Sequence, residues 1–491
     1  MRESMTVVRN FARSTVAGVA AALVTACAVG PNYVQPETPA AQSFARADGA
    51  TYSQQQAVAQ FWTQFGDRTL DQLVGDALAS NHDLRIALAR FKEARVARGE
   101  SRLDLLPQVT AGAGYTEQRL PQSQRVPGVP AEVESYDASF DAFWELDFFG
   151  RVRRGIEAAN ADAEGAEASL RDAQVIIVAE LARTYFELRG QQSELAVARR
   201  NVDNQRETLN ITTIRLDAGR GTELDTSRAQ AQLSATLASI APLEAAVARS
   251  IHRLGVLTGR EPTALIETLS APQELPELPQ IVAVGNPADL LRRRRDVRAA
   301  ERELAAATAR IGVAVADLFP RVSFVGSLGY SAQSADALRD SGTGTRLIAP
   351  GISWAAFDLG RVRARIAGAR ARTEGSVAFY EQTVLRALEE TEDALVTHAR
   401  ARERLDHVAD SARASRTAAQ LARVRFDGGM VDFLQVLDAE RTLLAAEDSL
   451  AQSRTDAATS LIAVYKALGG GWEEAPLPAA PPLAATSARS R

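Results

Sequence analysis

Two kinds of hydrophobic periodicity alternate along this chain, and each occurs twice. From residue 136 to residue 146, apolar or small side chains fill every second position and polar ones fill the others, with Phe143 as the exception. This period of two predicts a β-strand with one apolar face. Similar runs predict three further strands, at residues 109–115, 322–330 and 347–357.

The stretches between the predicted strands are helical in pattern. Residues 70–105 are predicted to form a helix that stops before Pro107, because a residue preceding proline disfavours the helical conformation. Residues 151–217 contain no proline and are rich in helix-forming residues, which predicts a helix of roughly 100 Å. Apolar residues recur there every seven positions, and this spacing predicts a left-handed coiled coil. Pro242 is expected to bend the returning helix.

The order helix, strand, strand, long helix and returning helix occurs twice. The segment Gly150-Arg151-Val152-Arg153 recurs 210 residues later as Gly360-Arg361-Val362-Arg363. At the same offset, Arg215-Leu216-Asp217-Ala218-Gly219 recurs as Arg425-Phe426-Asp427-Gly428-Gly429. Upstream, the offset is 213, so three residues are inserted between the strand regions. These matches predict a duplicated unit of about 210 residues.

The repeats and the composition of their flanks predict six segments. The flanking segments are rich in proline and small residues and lack periodicity, as linkers and disordered tails do. The expected boundaries are a signal peptide at 1–26, a lipidated tether at 27–60, the first repeat at 61–260, a linker at 261–285, the second repeat at 286–472 and a disordered tail at 473–491.

The N-terminus has the features of an export signal that ends at a cysteine. Three arginines precede an apolar run, at residues 15–24, that is too short to span a bilayer. The sequence Val24-Thr25-Ala26-Cys27 resembles a bacterial lipobox, so we expect Cys27 to be diacylated. Residue 28 is not the aspartate that would retain a lipoprotein at the inner membrane, which favours the outer membrane. A chance cysteine in a cleaved leader is the alternative.

Composition narrows the classes of function. The chain has 491 residues, with 56 basic and 61 acidic side chains, and this balance argues against a nucleic-acid partner. One cysteine excludes a disulfide framework and a multi-cysteine metal site. Motifs for catalysis, nucleotide binding or a paired-histidine metal site are missing from the sequence, so no enzyme activity, cofactor or metal is predicted. The run Arg292–Arg295 is interpreted as a solvated helix face.

Tilted strands of about ten residues match the apolar thickness of a bilayer, although a soluble sheet has the same pattern. Four strands leave two unpaired edges, which a membrane does not tolerate, so the chain must oligomerise. Two copies give eight strands and a filled interior, whereas three give twelve strands and room for a lumen. Trp144, Trp354 and Tyr136 are then expected at the membrane interface.

The two helix turns, at residues 217–225 and 427–438, are expected to lie farthest from the strands and to form a gate at that end of the oligomer's lumen. Glycines permit the tight reversals, and acidic side chains near them either form a charge ring in an oligomer or cap helix starts. Arginines on the incoming helix are expected to pair with these acids. The glycines are Gly219, Gly221, Gly428 and Gly429; the acids are Glu223, Asp225, Asp432 and Asp438; the arginines are Arg423 and Arg425.

The lipobox, the duplicated unit and the turn motifs resemble the TolC-like outer-membrane efflux channels. Phe61-Trp62 and the segment 66–70 resemble the NodT-type lipoprotein branch of that family. The resemblance implies a mainly α-helical homotrimer, in which a twelve-stranded β-barrel continues into a periplasmic coiled-coil α-barrel. It places Asp438 at a pore-constricting aspartate, while Gln435 stands where some relatives carry another.

The same resemblance implies a passive exit duct in the bacterial outer membrane, in contact with its lipids, for drugs, metals or lipophilic compounds. Its expected partners are a periplasmic adaptor and an inner-membrane pump, often of the resistance-nodulation-division class. A lipid-anchored periplasmic coiled-coil adaptor remains the main alternative, since it also combines a lipobox with long hairpins. A lipid-anchored enzyme is a weaker one.

Overall fold

The computed structural model describes residues 28–37, 41–47, 51–55, 58, 60–124 and 130–470. The predicted signal peptide, Cys27 and the predicted tail at 473–491 lie outside these residues. The chain divides into two compact units. The sheet unit contains residues 28–37 and the described residues of Arg90–Glu167 and Ala299–Glu381. The helix unit contains the described residues of Thr38–Ala89, together with Ala168–Arg298 and residues 382–470.

The elements follow the predicted order of each repeat. The helices are α1 (Arg68–Ser80), α2 (His82–Leu103), α3 (Arg151–Asp217), α4 (Glu223–Leu257), α5 (Ile266–Leu269), α6 (Pro287–Arg293), α7 (Arg295–Ala316), α8 (Leu359–Asp427) and α9 (Phe433–Ala467). The strands are β1 (Tyr52–Ser53), β2 (Gln108–Arg119), β3 (Glu132–Leu146), β4 (Val282–Ala283), β5 (Arg321–Ala332) and β6 (Gly344–Ser353). Three short 3₁₀ helices cover Phe61–Phe65, Gln122–Gln124 and Asp336–Arg339.

The sheet unit contains a four-stranded antiparallel sheet in the order β2-β3-β5-β6. The strand predicted at 347–357 is wrong at both ends, because β6 starts at Gly344 and stops at Ser353. Beyond it, the indole of Trp354 donates to the carbonyl of Leu318 and the chain turns into α8. Pro350, which cannot donate a backbone hydrogen bond, is tolerated because β6 is an edge strand.

The single helix predicted at 70–105 is two helices, because Asn81 interrupts it. Asn81 has ψ 133°, outside the helical region. Its side-chain oxygen accepts from the backbone N–H of Asp83 at 2.8 Å and of Leu84 at 3.1 Å, which starts α2. The predicted long helix, by contrast, matches α3, and α4 continues through Pro242.

Part of the predicted tether is docked on the helix unit. The ring of Phe44 is buried in the core. The Glu392 carboxylate accepts from the backbone N–H groups of Ala45 (2.7 Å) and Arg46 (3.1 Å). A few residues later, β1 pairs in parallel with β4 from the predicted linker. These contacts hold residues 44–46 and 52–53 against folded structure.

The core of the helix unit is built from both repeats. Phe61 stacks on Tyr465 with ring centroids 4.8 Å apart, and Phe65 meets Phe186 edge-on at 4.9 Å. Of the described helices, only α4 is long and apolar enough by length and composition to cross a membrane, which is weak grounds for a span. Ion pairs instead join α4 to α3, between Arg253 and Glu180 and, at 2.7 Å, between Arg199 and Glu244.

Candidate gate and membrane-facing sheet

The two helix turns of the helix unit have the same geometry. After α3, Gly219 adopts φ +67°, and the N–H of Arg220 bonds the carbonyl of Arg215 at 2.8 Å. After α8, Gly429 adopts φ +70°, and the N–H of Met430 bonds the carbonyl of Arg425 at 2.9 Å. Both are Schellman motifs, which need a left-handed residue after the helix. Gly221 and Gly428 do not have the positive φ of a left-handed residue.

Two of the predicted gate acids cap the returning helices. The carboxylate of Asp432 accepts from the N–H of Gln435 at 3.2 Å, at the start of α9. Asp225 forms a capping box with Thr222 at the start of α4. Glu223 is exposed on the first turn of α4, and Asp438 is exposed on the second turn of α9. The structure thus favours the capping alternative for Asp225 and Asp432, and leaves the carboxylates of Glu223 and Asp438 available to face a lumen.

Arg215 of the first turn is bound to the second turn. Its guanidinium lies 3.8 Å from the ring centroid of Phe426, and Nη2 donates to the Phe426 carbonyl at 3.1 Å. A cation at the last carbonyls of α8 is also favoured by the helix dipole. Phe426 packs in a small buried cluster with Phe433 and Val436 of α9. One arginine therefore joins the ends of α3 and α8.

Arg423 connects three helices just above the turns. Its Nη2 donates to Thr208 Oγ1 at 3.0 Å and to the Asn204 carbonyl at 3.4 Å, both on α3. The guanidinium pairs with Glu440 of α9 at 3.3 Å and more loosely with Glu207 of α3 at 3.6 Å. Burial raises the pKa of Glu440, and the charge of Arg423 opposes that rise.

The Arg423 network borders a polar crevice of about 420 Å³ between α3, α8 and α9. Its wall includes Gln205, which is 3% exposed and whose side-chain oxygen has no hydrogen-bond partner among the described residues. Arg416 and Glu447 form a further ion pair across the same crevice, at 2.5 Å. The interface above the turns therefore combines these polar contacts with the small apolar cluster around Phe426.

Among the described residues of this chain, Arg423 has other partners than the predicted turn acids, and pairing between chains stays a prediction. Arg423 contacts Glu207, Thr208 and Glu440 instead of the predicted acids. Arg425 takes part through its carbonyl, which closes the turn. Sequence analysis missed the partners of Arg423 because they lie on α3 and α9 and follow no motif. Arg215, by contrast, is part of the repeated turn motif, and that repetition could have marked it as a functional residue.

The tryptophans of the sheet unit occupy equivalent places in the two repeats. The indole Nε1 of Trp144 donates to the carbonyl of Leu105, and that of Trp354 to the carbonyl of Leu318, each at 2.9 Å. Both acceptors stand two residues before the proline that precedes a strand. Tyr136 lies eight residues before Trp144 on β3, so the two are separated by roughly 26 Å along the strand.

The two faces of the sheet differ in polarity. On one face, large apolar side chains are exposed, among them Phe140 (63%), Leu328 (62%) and Ile348 (62%). The strand register places the following residues on that face: Val109, Tyr115, Tyr136, Trp144, Phe324 and Ile352. On the other face, serine hydroxyls donate to carboxylates, from Ser135 to Asp137 at 2.9 Å and from Ser139 to Asp141 at 2.7 Å.

Known proteins share this sequence pattern and this architecture. The profile of the outer membrane efflux protein family matches residues 73–260 and 286–470. The probable efflux pump outer membrane protein TtgC of Pseudomonas putida is 32% identical over 465 residues, covering 93% of this chain and 95% of that protein. Nodulation protein T of Rhizobium leguminosarum is 30% identical, with 96% of each covered.

A solved structure of the outer-membrane channel OprN superposes with a TM-score of 0.85. The two chains are 44% identical, and the match covers 91% of this chain and 100% of the OprN chain. The family match spans both repeats and agrees with the two-faced sheet and the long helical hairpins. The chain belongs to the outer membrane efflux protein family.

Proposed function

We propose that this outer-membrane efflux channel acts as a passive homotrimeric duct. The observation that carries the proposal is the two-faced sheet with two open edges. Among the described residues, β2 and β6 each pair on one side only. A membrane requires those edges to be paired, and twelve strands from three chains leave room for a lumen where eight do not.

The orientation of the sheet in such a barrel follows from its two faces. The apolar face meets lipid, and the serine–carboxylate face lines the lumen. Because barrel strands are tilted by about 40°, the roughly 26 Å between Tyr136 and Trp144 spans about 20 Å along the membrane normal, which is most of the lipid-facing band of about 25 Å. This match supports the placement of Tyr136, Trp144 and Trp354 at the interfaces.

The cargo we propose is small organic compounds that an inner-membrane pump delivers through a periplasmic adaptor. Relatives in Pseudomonas putida include an antibiotic efflux pump protein and a toluene efflux pump protein, which supports drugs and apolar solvents as the cargo class. A pump of the resistance-nodulation-division class fits the same cargo. The energy source lies in the pump, so the channel itself catalyses no reaction.

Cys27 is proposed as the lipid anchor on the periplasmic side of the outer membrane. Its place after a short apolar run and a small-residue cleavage sequence supports this role. A Cys27→Ser variant is expected to lose labelling by a radioactive lipid precursor. Label that persists on the variant would disprove acylation at this residue.

The periplasmic end is proposed to be closed by the contacts above the turns. Arg423 holds α8 against α3 and α9, and Arg215 holds the end of α3 against the end of α8. Breaking these polar contacts allows the helix pairs to separate. The exposed carboxylates of Glu223 and Asp438 would become rings in a threefold assembly and favour cations.

Membrane extraction of Cys27→Ser separates this function from the adaptor alternative. A barrel should stay in the membrane without its lipid and require detergent for release. An adaptor anchored only by lipid should become soluble. Release of the folded variant without detergent would overturn the channel proposal.

A further inference from the structure

The residues directly after Cys27 are bound to the sheet unit rather than free. The N–H of Val29 donates to the carbonyl of Phe149 at 3.1 Å. Four residues later, the Tyr33 hydroxyl donates to Glu301, and the guanidinium of Arg302 lies 5.4 Å from the Tyr33 ring centroid. We call residues 28–33 the N-terminal strap. It lies against α3 and α7 of the sheet unit.

Arg154 is the main holder of this strap. It is only 4% exposed, and its guanidinium donates to the strap at four places. Nε bonds the Val29 carbonyl at 3.1 Å, and Nη2 bonds Asn32 Oδ1 at 2.6 Å. The carbonyls of Ala28 (3.5 Å) and Gly30 (3.4 Å) complete the set. An arginine fork suits such a group of oxygens because its donors point in fixed directions.

Three glycines let the strap approach this closely. Gly150 has φ +84°, and a Cβ there would lie 2.5 Å from the Cα of Ala28. Gly30 has φ +93°, and a Cβ there would lie 2.5 Å from the Cα of Gly312. A Cβ on Gly312 would in turn lie 2.7 Å from Cγ of Arg154. Larger residues at these positions would push the strap away.

The other repeat lacks this arrangement, although it shares the surrounding sequence. Gly150 corresponds to Gly360, and Gly312 corresponds to Gly99, but a Cβ on either counterpart would meet nothing within 4 Å. At the position of Arg154 the second repeat has Ala364. The arginine therefore occurs only in the repeat that receives the N-terminal strap, which separates it from the general architecture of the duplicated unit.

We infer that Arg154, Gly150 and Gly312 form a positioning site for the acylated N-terminus. The site holds residue 28 at the junction of β3 and α3, so the lipid on the preceding residue enters the bilayer beside that end of the sheet. Cys27 is one residue, or about 3.8 Å, from the strap. If the chain were flexible up to the buried Phe44, the root-mean-square distance between the anchor and Phe44 would be about 23 Å, and the anchor would have no fixed position. The inference rests on the proposed lipidation and trimer.

Hydrogen exchange of the mature full-length protein in detergent tests the positioning site. In the wild type, we expect slow exchange at Val29. Arg154→Ala should raise that rate at least tenfold, and Asn32→Ala, which leaves α3 untouched, should raise it less. Arg154→Lys should restore part of the protection. Arg310→Ala is the matched control, because Arg310 pairs α7 with Asp162 of α3 without touching the strap. Equal exchange in Arg154→Ala and the wild type would overturn the inference.

A spin label measures where the strap sits. Val34 is 80% exposed, and an acylated Cys27 leaves Val34→Cys as the only free thiol. Distances between labels of one trimer should be narrowly distributed in the wild-type background. With Arg154→Ala the distribution should broaden by about 10 Å or more. An unchanged distribution would contradict the inference.

The same samples separate failure of this inference from failure of the proposed function. An unacylated Cys27 would take up a second label, visible by mass, and would refute the lipid placement and the proposed anchor together. A monomeric sample would give no distances between labels and would refute the trimer, while the exchange measurement would still decide whether Arg154 holds the strap.

Discussion

Asn81 and Arg294 occupy equivalent positions in the two repeats and make equivalent hydrogen bonds. Asn81 Nδ2 donates to the carbonyl of Leu257, the last residue of α4, and Arg294 Nη1 donates to that of Ala467, the last residue of α9, each at 2.9 Å. Each residue also separates a short helix from a longer one. Two different side chains therefore donate to the same helix end, whose last carbonyl has no partner within the helix; at Ala467 the Thr391 hydroxyl is a second donor, at 3.4 Å.

Replacing these residues should destabilise the helix unit. Asn81→Ala removes a helix cap and the bond to Leu257, and about 1–2 kcal/mol of stability should be lost. Arg294→Ala should cost at least as much, because Asp296 and Glu390 each lose an ion pair with Arg294, although Glu390 keeps its pair with Lys466. Arg292, which is exposed and pairs with Asp289 on its own helix, is the control and should change stability by less than about 0.5 kcal/mol.

Thermal unfolding in detergent, followed by circular dichroism, measures these differences. If Arg292→Ala lost as much stability as Arg294→Ala, the loss would be due to removal of a positive charge and not to the bond between Arg294 and Ala467. The run of four arginines was interpreted as a solvated face, and Arg294 departs from that interpretation because its side chain is only 11% exposed.

Arg423→Ala should loosen the gate. The variant loses the bonds to Thr208 and Glu440 that tie α8 to its neighbours, so the open fraction in planar bilayers should rise several-fold. Arg413→Ala is the control, because Arg413 pairs with Asp410, one turn away on the same exposed helix surface. If both variants conduct like the wild type, the closing contacts lie elsewhere.

Substitutions of Asp432 and Asp438 should distinguish an acid that caps a helix from an acid that contributes charge to the pore. Asp432→Ala should cost about 1 kcal/mol through loss of the cap, whereas Asp432→Ser should retain stability. Asp438→Asn should leave stability unchanged and lower the preference for cations, because its exposed carboxylate is the proposed ring. Reversal potentials in a salt gradient measure this preference. An unchanged potential in Asp438→Asn would remove this residue from the pore.

Glu194 should make stability depend on pH. Burial raises its pKa to about 7, with Asp448 and Asp456 adding to the rise. The folded chain then holds a proton that the unfolded chain releases, so stability should fall as pH rises from about 4.5 to 7. Glu194→Gln should flatten this slope. Glu403→Gln, at an exposed ion pair, is the control and should keep it.

Sequence patterns predicted the elements more reliably than the contacts between them. The repeat offset identified Trp144 and Trp354 as counterparts, and their equal indole bonds follow from that symmetry. The break at Asn81 was missed because a polar residue inside a helical pattern gives no signal comparable to proline. The partners of Arg154 in the strap are more than 120 residues away in sequence, so no local pattern contains them.

The gate shows the same division between local and long-range information. Schellman turns at Gly219 and Gly429 could be predicted because glycine after a helix is a local signal. Heptad spacing indicates that helices pair, but not which residues face each other across them. The contact of Arg423 with Glu440 depends on that register and required the structure.

The mass of the detergent-solubilised channel, corrected for bound detergent, tests the central claim most directly. The open edges of β2 and β6 must be closed, and three chains close them around a lumen. We predict a single species with three times the mass of one mature chain. A stable monomer or dimer that retains its folded strands would contradict the account.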